Sequence, residues 1–189
     1  MIKKKKNMSR AVAAIVLAGT LTACGSVNTR TIVSKPGFSD FFTYAAANRD
    51  FKFSVMGDPF HGQKAQLTAA TIAQFQRNYA QYNTHFTTTP NDTALPPYHI
   101  VVAYGNVVFG TEDEICKGDG AYLAPSAPGQ LEILAVYCDD NAMTFNRAAI
   151  PMPSGPNDPA LARTLNDMAY RLIPEEQDTV PTIMYGAGQ

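Results

Sequence analysis

The sequence predicts an α+β domain of two layers, in which two amphipathic helices cover a mixed β-sheet of about four strands. Three observations predict this class. Four short segments have the alternating or continuous apolar pattern of strands, and two longer segments repeat apolar residues every three to four positions. The order of these segments along the chain is β-α-β-β-β-α. With 189 residues, 46% of them hydrophobic, the chain is long enough for one domain with a real core.

The first strand and the first long helix lie in the first half of the predicted domain. Residues 51–57 alternate apolar and polar side chains, which is typical of a half-buried strand, and the turn-forming run 58–62 ends it. Apolar residues then recur at helical spacing over 65–82, which indicates an amphipathic helix. A helix of two to three turns over 39–48, capped by Ser39, is expected before the strand.

Three further strands follow a connection rich in Thr and Pro, residues 84–97. The segment 98–104 is almost continuously apolar, which favours a central position covered on both faces, and 131–138 has the pattern of another strong strand. A turn at 139–141 predicts that 142–150 returns antiparallel to the preceding strand. The strand, helix and strand from 51 to 104 are expected to form a parallel unit.

The last helix has clear start and stop signals. Asn157 or Asp158 is the expected cap, Pro159 lies in the first turn, and Pro174 ends the helix. Four apolar residues make one stripe along it: Leu161, Leu165, Met168 and Leu172.

Residues 1–23 have the composition of a targeting segment. A basic stretch, 1–10, precedes the apolar stretch 11–23, whose length of roughly 20 Å as a helix is short of a membrane core of roughly 30 Å. The segment closes on Leu21-Thr22-Ala23-Cys24. This tetrapeptide resembles the lipobox of bacterial lipoproteins, and the resemblance implies cleavage before Cys24 and a diacylglyceryl thioether on its sulfur. The alternative is an ordinary cleavable signal peptide with an incidental cysteine.

The same resemblance implies a location. Because Gly25 is not Asp, transport to the outer membrane is expected, with the domain facing the periplasm; the cell surface and the cytoplasmic membrane remain alternatives. The chain then divides into the signal peptide, a lipidated tether over 24–37, a single domain over 38–174 and a flexible C-terminal tail over 175–189.

The cysteine count predicts one disulfide. Three cysteines are present, and acylation of Cys24 leaves Cys116 and Cys138 as a pair in a compartment where disulfides form. Two buried free thiols are the alternative. The three histidines are scattered and no metal-ligand spacing occurs, which disfavours a zinc site.

Two features are candidates for chemistry. If the disulfide forms, six carboxylates come near one another and could bind a cation or another ligand, although their spacing does not match an EF-hand and a solvated loop is the plainer interpretation. They are Glu112, Asp113, Glu114, Asp119, Asp139 and Asp140. His61 follows the first strand, where sites are often built, but no nucleophile motif accompanies it, so a structural turn histidine is favoured.

Charge and motifs together predict a non-catalytic protein. Residues 1–23 carry five basic side chains and no acid, and the remainder has 10 basic and 16 acidic residues, a balance that disfavours nucleic acid or anionic lipid head groups as partners. We expect a lipid-anchored envelope protein with a structural or binding role, no cofactor, and another envelope protein or polymer as its partner. A module that binds a small ligand or divalent cation, and a periplasmic hydrolase that uses His61, are the alternatives.

Overall fold

The structure, a computed structural model, describes residues 26–31 and 38–173, and the α+β class predicted from the sequence is confirmed. The predicted signal peptide and C-terminal tail lie outside the described residues. The same holds for Cys24, Gly25 and residues 32–37 of the predicted tether.

The described chain forms a six-stranded mixed sheet and a separate two-stranded ribbon. The strands of the main sheet are β1 (Ser26–Thr31), β2 (Asp50–Met56), β3 (His85–Thr87), β4 (Tyr98–Tyr104), β7 (Gln130–Asp139) and β8 (Asn141–Pro151), in the spatial order β1-β8-β7-β4-β2-β3. The ribbon pairs β5 (Asn106–Val107) with β6 (Leu123–Ala124). Strands β2 and β3 are parallel, as are β2 and β4, and all other pairs are antiparallel.

Four α-helices connect these strands: α1 (Phe38–Ala46), α2 (Lys64–Asn78), α3 (Glu112–Cys116) and α4 (Pro159–Leu172). Short 3-10 turns follow α2 at Ala80–Tyr82 and α3 at Gly120–Tyr122. Helix α4 begins where its cap predicts, since a carboxylate oxygen of Asp158 accepts a hydrogen bond from the Ala160 amide at 2.8 Å. The acidic segment expected to be a loop contains α3.

All four predicted strands are present as β2, β4, β7 and β8, and β2 and β4 are parallel across α2 as expected. Two further strands extend the sheet at its edges. Strand β3 lies in the Thr- and Pro-rich connection, and β1 lies in the segment predicted to be a tether. Edge strands of this length are held by backbone hydrogen bonds to a single neighbour and need no apolar alternation. The sequence pattern therefore does not predict them.

The main core lies between the sheet and the helices α1, α2 and α4. Its centre is aromatic: the ring of Phe42 on α1 lies 5.6 Å from that of Phe51 on β2, 5.0 Å from Tyr79 and 5.7 Å from Tyr137 on β7. Tilted and edge-to-face rings at these separations stabilise beyond their buried area. These contacts fix α1 and α2 against the strands.

The opposite face of the sheet has a second, smaller core under α3 and the ribbon β5–β6. Ile115 of α3 is fully buried there, and a disulfide joins Cys116 to Cys138 of β7 with 5.7 Å between Cα atoms. The two predicted helices, α2 and α4, therefore share one face of the sheet as expected, and the short α3, which the sequence did not predict, covers the other. Within the described residues, no helix is long and apolar enough to cross a membrane.

Candidate functional site

A cleft of about 500 Å³ opens at the end of the sheet where the parallel strands β2 and β4 finish. Its walls are the turn that follows β2, the loop that precedes β7, and Met152 just after β8. Carboxyl ends of adjacent parallel strands are a common position for binding sites, because the chain leaves both strands there and its loops diverge. The volume is within the range of small-ligand pockets.

Two glycines bring the backbones at the base of the cleft into contact. Gly57 (φ +83°) and Gly105 (φ +142°) both lie in the region that favours glycine. A Cβ atom at Gly57 would overlap the carbonyl oxygen of Tyr104, and one at Gly105 would lie 2.6 Å from the carbonyl oxygen of Ala124. Since no side chain fits in either place, these two positions set the spacing between β2, β4 and β6.

The loop before β7 is held in place by three hydrogen bonds. The amide of Glu132 donates to the Ser126 hydroxyl at 3.0 Å, and the amide of Gln130 donates to the carbonyl of Ala127 at 3.0 Å. The amide of Met152 donates to the carbonyl of Gly129 at 2.9 Å, which ties the loop to the chain after β8. The cleft wall is therefore preformed and needs no ordering when a ligand binds.

His61 lies in the turn that borders the cleft, as its position after the first strand predicts. The Asp58 carboxylate closes this turn by accepting a hydrogen bond from the Gly62 amide at 2.7 Å. His61 has a φ of +44°, an uncommon conformation for a residue other than glycine, and its side chain is exposed. The second carboxylate oxygen of Asp58 is buried and accepts no hydrogen bond from the described residues.

The polar groups around the cleft hold structure together and do not activate one another. Within the described ranges, no serine, cysteine or carboxylate is hydrogen-bonded to the ring of His61. Ser126 is engaged with the Glu132 amide. The Tyr104 hydroxyl is buried and lies 2.5 Å from that of Thr71, and burial raises the pKa of Tyr104 above its usual range. Among the described residues that line the cleft, no nucleophile is hydrogen-bonded to a base.

The six acidic residues predicted as a ligand site occupy several different environments. Glu112 is buried beside Arg147, and Asp113 accepts a hydrogen bond from the Ala142 amide at 2.8 Å. Glu114 pairs with Lys117, and Asp119 accepts from the Ala121 amide.

Asp139 and Asp140 lie in the turn between β7 and β8, where Asp139 is half-buried and Asp140 is exposed. Across the described residues, no group of three or more His, Cys, Asp or Glu side chains could hold a metal ion.

The other two histidines lie at the opposite end of the sheet from the cleft. His85 Nδ1 is 2.9 Å from the carboxylate of Asp50. A hydrogen bond from the Asn91 amide, and then the one from His85, lower the pKa of Asp50. The ring of His99 lies between the carbonyls of Pro97 and Cys116, at 2.7 and 2.9 Å. Beside it, Lys52 and the Thr- and Pro-rich connection line a smaller groove of about 270 Å³.

Sequence reasoning missed the cleft itself and the partner of Glu112. The cleft depends on the loop 125–129, which is adjacent to the turn 58–62 only in the folded chain. Arg147 is the one charged residue in the segment 142–150 predicted as a strand, and this was the available signal, since buried charges need partners.

Comparison with known proteins finds no counterpart: no family matches the chain, and no curated protein and no solved structure matches it significantly.

Proposed function

We propose that this chain is a lipid-anchored protein of the bacterial envelope, whose disulfide-bonded domain binds a ligand or partner segment in the cleft without catalysing a reaction. The anchor is Cys24, at the end of the segment that resembles a lipobox. The outer membrane is the proposed location, with the domain in the periplasm. The partner is another envelope protein or a polymer of the envelope.

The observation that carries the binding role is a preformed cleft whose lining is mostly apolar. Proline, leucine and methionine side chains supply much of its surface, among them Pro59, Leu123, Pro125, Pro128 and Met152. Apolar contact area provides affinity, and a fixed polar group, the Ser126 hydroxyl that the Glu132 amide holds, provides orientation. Met152 is 42% exposed although it is a large apolar residue, so a ligand there removes apolar surface from water.

The same geometry favours binding over hydrolysis. A hydrolase that used His61 as a base would need a nucleophile or a metal-bound water within hydrogen-bond reach of the ring. The serine that lines the cleft, Ser126, already accepts a hydrogen bond from the amide of Glu132 in β7. The cleft therefore supplies surface and shape, and the carboxylate of Asp58 supports the turn at its border.

Complementation of a strain that lacks the gene tests this proposal. His61→Ala is expected to complement the strain almost fully. Met152→Glu, which places a charge in the apolar lining, is expected to abolish complementation. Tyr170→Glu is the matched control, because Tyr170 is 69% exposed on α4 and does not line the cleft. Immunoblotting and thermal unfolding establish that each variant is present and folded.

Two results would overturn the proposal. A folded His61→Ala protein at normal abundance that fails to complement would favour the hydrolase. If Met152→Glu and Tyr170→Glu affected complementation equally, the cleft would not be the binding site. The anchor is tested separately: Cys24→Ala is expected to abolish metabolic labelling with a palmitate analogue, and equal labelling of variant and parent would exclude lipidation at Cys24.

A further inference from the structure

Strand β1 connects the predicted anchor directly to the folded domain. It is antiparallel to β8, with Ser26 opposite Ala149 and Thr31 opposite Thr144. Ala149 lies three residues before Met152, which lines the cleft. The first residue of β1 is therefore at the cleft end of the sheet, and the strand runs from there toward the opposite end.

The chain between the anchor and β1 is short. Cys24 precedes Ser26 by two residues, which span at most roughly 7 Å when fully extended. Strand β7, which borders the cleft, is two strand positions from β1, and β4 is three. At about 4.8 Å between neighbouring strands, the cleft lies roughly 10–15 Å to the side of the anchored edge.

Charge is distributed unevenly between the two ends of the sheet. The segments that border the cleft, 57–62 and 123–130, contain one carboxylate, Asp58, and no Lys or Arg. The opposite end has four acidic residues, Asp50, Asp92, Asp139 and Asp140, and two basic ones, Arg49 and Lys52. The overall acidity of residues 24–189 disfavours contact with anionic head groups, but the two segments that border the cleft contribute only the single charge of Asp58 to it.

We infer that the cleft end of the domain is a membrane-facing surface, seated on the phospholipid bilayer that holds the acyl chains of Cys24. The inference rests on the lipid anchor of the proposed function. A flexible tether over 24–37 would let the domain tumble, whereas β1 pairs Ser26–Thr31 with β8. The exposed apolar side chain of Met152 and the uncharged loop 123–130 then lie at the interface, and the cleft receives its ligand at the bilayer surface.

Fluorescence quenching in vesicles tests this orientation. The lipidated full chain is reconstituted into phosphatidylethanolamine and phosphatidylglycerol vesicles that contain a lipid with a nitroxide head group. A thiol-reactive fluorophore is attached to Ala127→Cys, in the exposed loop at the cleft, or to Asp92→Cys, in the exposed connection at the opposite end. Labelling is specific, because Cys24 is acylated in this proposal and Cys116 is bonded to Cys138.

Quenching at Ala127→Cys is expected to be severalfold stronger than at Asp92→Cys. An insert of about 12 Gly and Ser residues after Gly25, with a root-mean-square length of roughly 20 Å, should reduce that ratio toward one. Equal quenching of the two probes in protein that floats with the vesicles would overturn the orientation and leave the anchor intact. Protein that does not float would overturn the anchor and the orientation with it.

Discussion

Glu112 of α3 and Arg147 of β8 form an ion pair, with 2.7 Å between Arg147 Nη2 and Glu112 Oε1. The side chain of Glu112 is 5% exposed and that of Arg147 is 26% exposed. Arg147 also donates from Nη1 to the carbonyl of Val107 at 2.7 Å, and its guanidinium lies 5.5 Å from the ring centroid of Phe109. One side chain thus connects β8, the ribbon and α3 on the face that carries the disulfide.

Removing Glu112 should destabilise the domain strongly. Glu112→Ala leaves the Arg147 guanidinium without its counter-ion in a largely buried place, at a cost of about 3 kcal/mol in the free energy of unfolding. Lys117→Ala is the control, since the pair that it removes is exposed and contributes at most about 0.5 kcal/mol. Urea unfolding of both variants measures the difference, and equal midpoints would show that the ion pair does not stabilise α3.

Gly57, at the base of the cleft, should tolerate substitution less well than Gly62, which has a similar backbone conformation in the same turn. Gly62→Ala places a side chain in open space at φ +86° and should cost about 1 kcal/mol. Gly57 has a similar φ, but the Cβ atom of Gly57→Ala would meet the Tyr104 carbonyl. We therefore expect this variant to lose about 2 kcal/mol more in the free energy of unfolding than Gly62→Ala. Thermal unfolding compares the two, and a Gly57→Ala protein as stable as Gly62→Ala would contradict the close approach of β2 and β4.

The cap of α4 should make stability depend on pH in the acid range. Hydrogen bonds from the Ser154 amide, and then from the Ala160 amide, lower the pKa of Asp158. Because the folded form holds the charged carboxylate more tightly than the unfolded chain, this contribution is present above about pH 4 and is lost as pH falls through the lowered pKa. Asp158→Ala should therefore unfold at a lower temperature at pH 7, and its deficit should shrink in stronger acid.

The exposed Asp92 is the control for the cap, and Asp92→Ala should unfold at the parent's temperature at each pH. A deficit of Asp158→Ala that stays constant from pH 7 to strong acid would show that the charge of the cap does not stabilise α4.

The disulfide should contribute to stability without being required for the sheet. It closes a loop with a sequence separation of 22, for which chain entropy predicts about 3 kcal/mol. The double variant Cys116→Ala and Cys138→Ala should lose about this amount in the free energy of unfolding. Reductant should leave the stability of the double variant unchanged and lower that of the parent. Unfolding curves with and without dithiothreitol check this, and an unchanged double variant would refute it.

Elements with their own apolar periodicity could be predicted from the sequence. Strands β2, β4, β7 and β8 and helices α2 and α4 each bury one side or both, so the pattern of their residues records the core that they face. The caps and turns around them were readable for the same local reason, as Asp158 and the turn 58–62 illustrate.

The cleft and the buried ion pair could not be predicted from local sequence patterns, because the residues that form them are far apart along the chain. Glu112 and Arg147 are 35 residues apart, and the local sequence around either residue does not predict its partner. Only the packing of α3 on β8 makes them partners. The acidic run of α3 predicted a solvated loop, although one of its carboxylates is buried.

The sequence by itself determined the α+β class, the order of the main elements and the expectation of a lipid anchor at Cys24. The tertiary structure alone decided that β1 continues the sheet where a tether was expected, and that the loop 125–129 meets the turn 58–62 to form the cleft. The physical reason is that hydrophobic periodicity is a local property of consecutive residues. Edge-strand pairing and cleft geometry depend instead on backbone hydrogen bonds and close approaches between distant segments, which exist only once the core has formed.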